Sequence, residues 1–274
     1  MRLVDSHAHL QSPQFSDDLP EVLAAAELAE VERILVPGWD EDSSRRAIEL
    51  VARYPRLVAA AGIHPHAAAE TDDAAWERTV ALAADPAVVG IGETGLDYDR
   101  RFSPIEDQLV NLRRNLALAL ALGKPAILHC RSAVGSREAH DALLAEMRNA
   151  GFGGEASRAA FADRPPAILH SVSGPVDYVA AALELGCAVS ISGLCFRKGE
   201  EATAESVRLV PADRLLVETD APYLSPPGAP RRRNEPAWTR VIGAWVAEQR
   251  GEHADEVGTR LVEAFDRVFA RSTS

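Results

Sequence analysis

Short apolar runs alternate with longer amphipathic stretches from one end of the chain to the other. Eight runs stand out, at residues 3–5, 33–36, 57–62, 88–92, 126–129, 167–170, 188–192 and 215–218. Each is β-branched or leucine-rich and nearly continuous, the pattern of a strand buried on both faces. Segments with helical spacing follow them, and this alternation predicts a parallel sheet with helical crossovers. One helix can be read closely. Ser103 is placed as N-cap, Pro104 suits the first helical position, and Glu106 completes a capping box. Ile105, Leu109, Leu112, Leu116 and Leu120 then form one apolar stripe, and Gly123 is placed to end it.

The 274 residues carry no evident linker, so the expectation is a single domain over 1–274. That length suits a (β/α)₈ TIM-type barrel, which typically runs to about 250 residues. The stretch 151–164, with Gly153 and Gly154, reads as an insertion or extended loop. The Pro- and Gly-rich segment after Asp220 reads as irregular, helical patterns follow at 236–248 and 254–270, and the tail 271–274 is expected to fray.

Composition narrows the function. The net charge of −12 argues against broad, non-specific binding to nucleic acid or anionic membrane, although bound cations can supply positive charge locally. Arg231, Arg232 and Arg233 form the one dense basic cluster, a solvated patch or a phosphate contact. Three cysteines suit a reducing compartment, and no signal peptide or membrane-length apolar stretch is visible. The expectation is a cytoplasmic protein with no membrane association and no obligate protein partner.

The chemistry lies where the apolar runs end. His7 and His9 follow the first run two residues apart, a spacing that points both side chains the same way on extended backbone. The fourth run ends in Glu93, the fifth in His129, the sixth in His170, and the eighth leads through Glu218 to Asp220. In a parallel barrel all C-terminal strand ends converge on one face, the face that carries the active site. Any one of these groups is equally a hydrogen-bonded turn residue; six together point to metal ligation. Histidine and carboxylate ligands suit divalent magnesium, manganese or zinc, and six exceed the need of one catalytic ion. Two ions sharing Glu93 would use the surplus.

The strings Asp5-Ser6-His7-Ala8-His9, Gly62-Ile63-His64-Pro65-His66, Gly92-Glu93-Thr94-Gly95-Leu96-Asp97-Tyr98, Leu128-His129-Cys130-Arg131 and Glu218-Thr219-Asp220-Ala221-Pro222-Tyr223 carry a further signal. With His170-Ser171 and Arg233-Asn234-Glu235-Pro236 they resemble, in order and over nearly the whole chain, the TatD family of metal-dependent hydrolases within the amidohydrolase-like barrels. The resemblance implies that His7, His9 and Asp220 serve one ion, that His129 and His170 serve the second, and that Glu93 bridges them. It also places Asp220 where a water-activating base would sit. His64 is a candidate for contacting a substrate phosphate or protonating a leaving group, and His66 and Arg131 are candidates for substrate binding. Glu218 reads as an acid orienting its neighbours, Asp97 and Tyr98 as braces, the four tryptophans as packing, and Cys130 and Cys195 as small buried hydrophobes. Val172, Ser132 and the 151–164 stretch depart from the family pattern.

The function expected is a two-metal phosphodiesterase acting on DNA, after the manner of a 3′-5′ exodeoxyribonuclease. An amide or ester hydrolase such as a D-aminoacyl-tRNA deacylase, and a non-catalytic metal-binding scaffold, are the alternatives.

Overall fold

The computed structural model describes residues 1–270, so the expected fraying at 271–274 lies outside the described residues. All eight expected strands are present: β1 (Leu3–Asp5), β2 (Val31–Pro37), β3 (Leu57–Ala61), β4 (Val88–Asp97), β5 (Ala126–Arg131), β6 (Ala167–Leu169), β7 (Ala188–Ile191) and β8 (Leu215–Val217). They pair in parallel in chain order. The helices are α1 (Leu19–Leu28), α2 (Glu41–Arg53), α3 (Asp73–Ala83), α4 (Ile105–Leu122), α5 (Glu138–Ala150), α6 (Glu155–Phe161), α7 (Val176–Glu184), α8 (Ala202–Leu209), α9 (Thr239–Arg250) and α10 (Ala254–Val268). No helix among the described residues is long and apolar enough to cross a membrane.

The barrel closes just beyond the strand ends. Ser6 N–H donates to the Val217 carbonyl at 3.0 Å, Asp220 N–H to that of His7 at 2.9 Å, and His9 N–H to that of Ala221 at 2.7 Å. Asp5 locks this seam. Its carboxylate accepts Thr219 N–H at 2.9 Å, the Thr219 hydroxyl at 2.5 Å and His7 N–H at 3.2 Å.

Alternation along the strands separates two cores. Leu3, Val36, Leu128 and Leu169 face outward and pack with helical residues such as Val22, Leu112 and Leu143. The intervening residues Val4, Leu35, Ala60, Val89, Ile127, Ile168, Ala188 and Leu216, one from each strand, form a second cluster along the barrel axis. Phe265, Val268 and Phe269, from α10 and the residue after it, complete that cluster. The lower lumen is therefore dry and side-chain filled, as expected for a barrel of this size.

Three local expectations are corrected. First, the helix over Ile105–Leu122 has no side-chain cap. Ser103 instead donates its hydroxyl to the His66 carbonyl at 2.9 Å and accepts Ala69 N–H at 3.1 Å. A long-range loop tie has taken the hydroxyl that the capping box would have used. Gly123 does end this helix, at φ 59°. Second, the 151–164 stretch is not a bare loop: Gly151 ends α5 and Gly154 precedes α6. Third, β4 does not stop at Gly92 but runs on to Asp97 through a register break between Ile91 and Thr94. Gly92 makes this possible, because at φ 140° a Cβ there would stand 2.6 Å from the Ile127 carbonyl oxygen. The extension carries Glu93 and Asp97 on one continuous, fully buried strand.

Candidate metal centre

On five of the eight strands the side chain two residues further along the lumen is polar. Ile127 gives way to His129, Ile168 to His170, Ala188 to Ser190, Leu216 to Glu218 and Val4 to Ser6. Period-two geometry stacks this layer directly above the apolar one. Ser6 and Ser190 share a hydrogen bond of 2.7 Å, and Ser6 lies 3.4 Å from Glu218.

Above them Glu93 is the hub. Its Oε1 lies 3.2 Å from His64 Nε2, 3.1 Å from His129 Nδ1 and 3.1 Å from His170 Nε2. Its Oε2 lies 3.2 Å from His7 Nε2 and 3.5 Å from His9 Nε2. Asp220 Oδ1 completes the second group at 3.4 Å from His9 Nε2 and 3.8 Å from His7 Nε2. The structure thus brings together all six expected ligands and adds His64. Three overlapping sets have the spacing to hold an ion: His7, His9 and Glu93; His7, His170 and Asp220; and His64, Glu93 and His129.

Second partners distinguish the histidines. His170 Nδ1 is 2.9 Å from Glu218 Oε1, so the network places a proton on Nδ1 and makes Nε2, which faces Glu93, the nitrogen that would meet an ion on losing its proton. His129 is the mirror case, with Nε2 3.4 Å from Asp97 Oδ2 and Nδ1 facing Glu93. A carboxylate behind an imidazole is the usual way a ligand's tautomer is fixed. His64 has the opposite arrangement: its Nδ1 accepts His66 N–H at 3.0 Å. The neutral ring then carries its proton on Nε2, where it donates to Glu93 rather than offering a lone pair. His7 and His9 bring their Nε2 atoms to 3.2 Å of each other, and neither Nδ1 has a partner.

Electrostatics follow from burial. His7 is inaccessible and Glu93 is 3% exposed. Burial works against the Glu93 charge, but the surrounding histidines outweigh it and hold the carboxyl well below its usual range. Burial pushes His64 down to about 4, so it is neutral near pH 7. His170 titrates well above an ordinary histidine despite its burial, because Glu93 and Glu218 face its two nitrogens. Imidazole lone pairs this close, around a shared buried carboxylate, form a donor set that divalent cations satisfy.

The remaining candidates fall around this array. His66 Nε2 is hydrogen-bonded to Asp97 Oδ2 at 2.8 Å, so the carboxylate that stands 3.4 Å from His129 Nε2 also braces His66. Arg131 ends β5 half-buried, with no ion pair among the described residues. Arg233 is corrected from a possible phosphate contact: it is bound to Asp18 at 2.7 Å and to Glu235 at 2.7 Å. Asn234, buried beside it, donates to the Thr219 carbonyl at 2.9 Å and so supports the seam. Trp39 packs edge-on against His9, their ring centroids 5.3 Å apart. Of the two departures from the family pattern, Ser132 meets His140 Nδ1 at 3.2 Å, and Val172 is buried in the outer core. Burial pushes the Cys130 and Cys195 thiols up to about 12, which suits inert hydrophobes.

Asp5 was the contributor sequence reasoning missed. The signal for it was an acid inside an apolar strand immediately before the histidine pair.

Comparison with known proteins gives a consistent picture. The sequence model described as "TatD related DNase" matches residues 4–270. The chain is 37% identical over 256 residues to the "3′-5′ ssDNA/RNA exonuclease TatD" of Klebsiella pneumoniae, covering 91% of each protein. It is 32% identical to the "uncharacterized metal-dependent hydrolase YabD" of Bacillus subtilis, covering 97% of this chain and 98% of that one. Among solved structures, the TatD homologue YJJV of Escherichia coli superposes with a TM-score of 0.86 at 27% identity, over 98% of both chains.

Proposed function

This chain belongs to the TatD family of metal-dependent hydrolases, and on that premise we propose that it is a two-metal phosphodiesterase removing nucleotides from the 3′ end of single-stranded DNA. One observation carries the reading: a single buried carboxylate offers one oxygen to each of two groups of imidazoles. His7, His9 and Asp220 would hold one ion, His129 and His170 the other, with Glu93 between. Magnesium, manganese and zinc all suit this set. Such ions supply Lewis-acid activation of water and of a phosphoryl oxygen.

The chain's own residues supply the rest. Asp220 is 15% exposed, whereas Asp5, Asp97 and Glu218 are fully buried, so Asp220 is the carboxylate that incoming water can reach. It is the best-placed proton acceptor. His64, whose Nδ1 accepts His66 N–H, carries its proton on Nε2 and would act as a hydrogen-bond donor to substrate beside the centre. Asp97 and Glu218 orient His129 and His170. Relatives named as exonucleases favour phosphodiester cleavage over the deacylase and scaffold alternatives.

The test is an assay of 5′-labelled single-stranded DNA and RNA, with aminoacyl-tRNA alongside, in magnesium, manganese or zinc. Expected is a ladder shortening from the 3′ end that chelator abolishes. Cleavage that persists in chelator would sink the metal mechanism, and release of the labelled 5′ nucleotide first would reverse the polarity.

A further inference from the structure

Two groups of side chains on the rim of the barrel have no part in holding the centre together. The first is aromatic. Among the described residues Phe102, at 66%, and Tyr223, at 55%, are the exposed aromatic side chains; the other phenylalanines, tyrosines and tryptophans are buried or half-buried. Both stand next to the centre. The Phe102 ring, in the loop after β4, meets His66 edge-on with centroids 4.7 Å apart. His66 in turn lies 4.3 Å from His64, on the Oε1 side of Glu93. The Tyr223 ring, in the loop after β8, lies 6.0 Å from His9, on the Oε2 side. The two exposed rings therefore flank the Glu93 array from opposite sides.

The second group is cationic. Arg100, Arg131, Arg197, Lys198, Arg231 and Arg232 all sit at or beyond C-terminal strand ends and have no ion pair among the described residues. Arginines elsewhere, such as Arg2, Arg33, Arg56 and Arg113, are paired with acids. Others away from that face, such as Arg53, Arg148 and Arg158, also have no ion pair among the described residues, so the rim cations are one of several unpaired groups; what sets them apart is their place beside the centre, in a chain of net charge −12.

We infer that Phe102 and Tyr223 are base-stacking platforms that hold the two nucleobases flanking the scissile phosphate of a single strand, while the unpaired cations follow its phosphates. This rests on the nuclease reading and adds residues to it. Every base has a π-face, so such platforms accept any sequence. They require bases not already stacked in a duplex, which makes the rings a selector for unpaired 3′ ends.

A cycle between ring and base tests this. Binding of the metal-loaded protein to a fluorescent single-stranded oligonucleotide, its 3′ linkages phosphorothioate, is measured by anisotropy for wild type, Phe102→Ala, Tyr223→Ala and Tyr223→Phe. The measurement is repeated with an abasic unit at the last or the penultimate position. Metal content of each variant is checked in parallel. Expected is about a tenfold weakening for each alanine variant on the intact strand, in line with alanine substitutions at other stacking sites. The loss should disappear for each ring when its own base is absent, and Tyr223→Phe should bind normally. Losses that are the same with and without the base, or no loss at all, overturn the platforms while leaving the nuclease reading in place. A wild type that neither binds nor shortens the unmodified strand overturns both.

Discussion

On five of the eight strands, the lower and upper layers of the barrel lumen differ by two residues along the chain and by almost everything else. Below, one apolar side chain from each of the eight strands packs with Phe265, Val268 and Phe269. Above, Ser6, His129, His170, Ser190 and Glu218 occupy the next inward positions. The lower layer gains from dispersion and from exclusion of water. The upper layer confines one acid and two imidazoles where water hydrates them poorly, a cost that only partners or bound cations offset. Stability and chemistry are therefore stacked along one axis, and the same strands, only three to ten residues long, serve both.

Perturbing either layer alone should break the comparison if it is wrong. The largest effect is expected at the top. Glu93→Gln should lower hydrolysis at least about 10³-fold, as for groups that act as a unit, and reduce bound metal. The urea midpoint of the metal-free protein should hardly move; a large drop would show that Glu93 also supports the fold. Next is the reverse case. Phe265→Ala, at a side chain 1% exposed, should cost about 3–5 kcal/mol in urea denaturation. The molecules that stay folded should retain their metal content, and loss of metal in step with stability would show that the layers are not separable. The smallest effect sharpens the boundary between them. Glu218→Gln keeps an acceptor for His170 but removes the charge behind it. Metal affinity should fall about tenfold, and activity should return in excess metal. If excess metal does not restore it, Glu218 has a role beyond orienting His170.

The fold was legible because its signals are local. Apolar runs and intervening helical spacing show eight strands, and ligand-type residues at their ends show which face matters. What escaped was long-range. Ser103 has the identity and spacing of an N-cap, yet its hydroxyl serves the loop of His66 and Ala69. Residues 151–164 look like loop because of Gly153 and Gly154, but α6 forms between those glycines and the next strand. The extension of β4 is hidden by Gly92 and Gly95, which lower strand propensity while permitting the close approach to β5. Asp5 acts through Thr219, 214 positions away, so its neighbours in the chain say little about it, whereas Asp97 and Glu218 were legible from their places at strand ends beside ligand-type residues. The same limit applied to Phe102 and Tyr223, whose exposure and nearness to the centre exist only in three dimensions.

The seam through Asp5 and Thr219 joins residues 214 positions apart. The first 218 residues carry all five of the histidines around Glu93, and Glu93 itself, but neither Asp220 nor the partner that anchors Asp5 beneath His7. Contacts of such separation form late in folding. The centre is thus assembled across the two ends of the chain, and its first and last ligands come into register only when those distant segments meet.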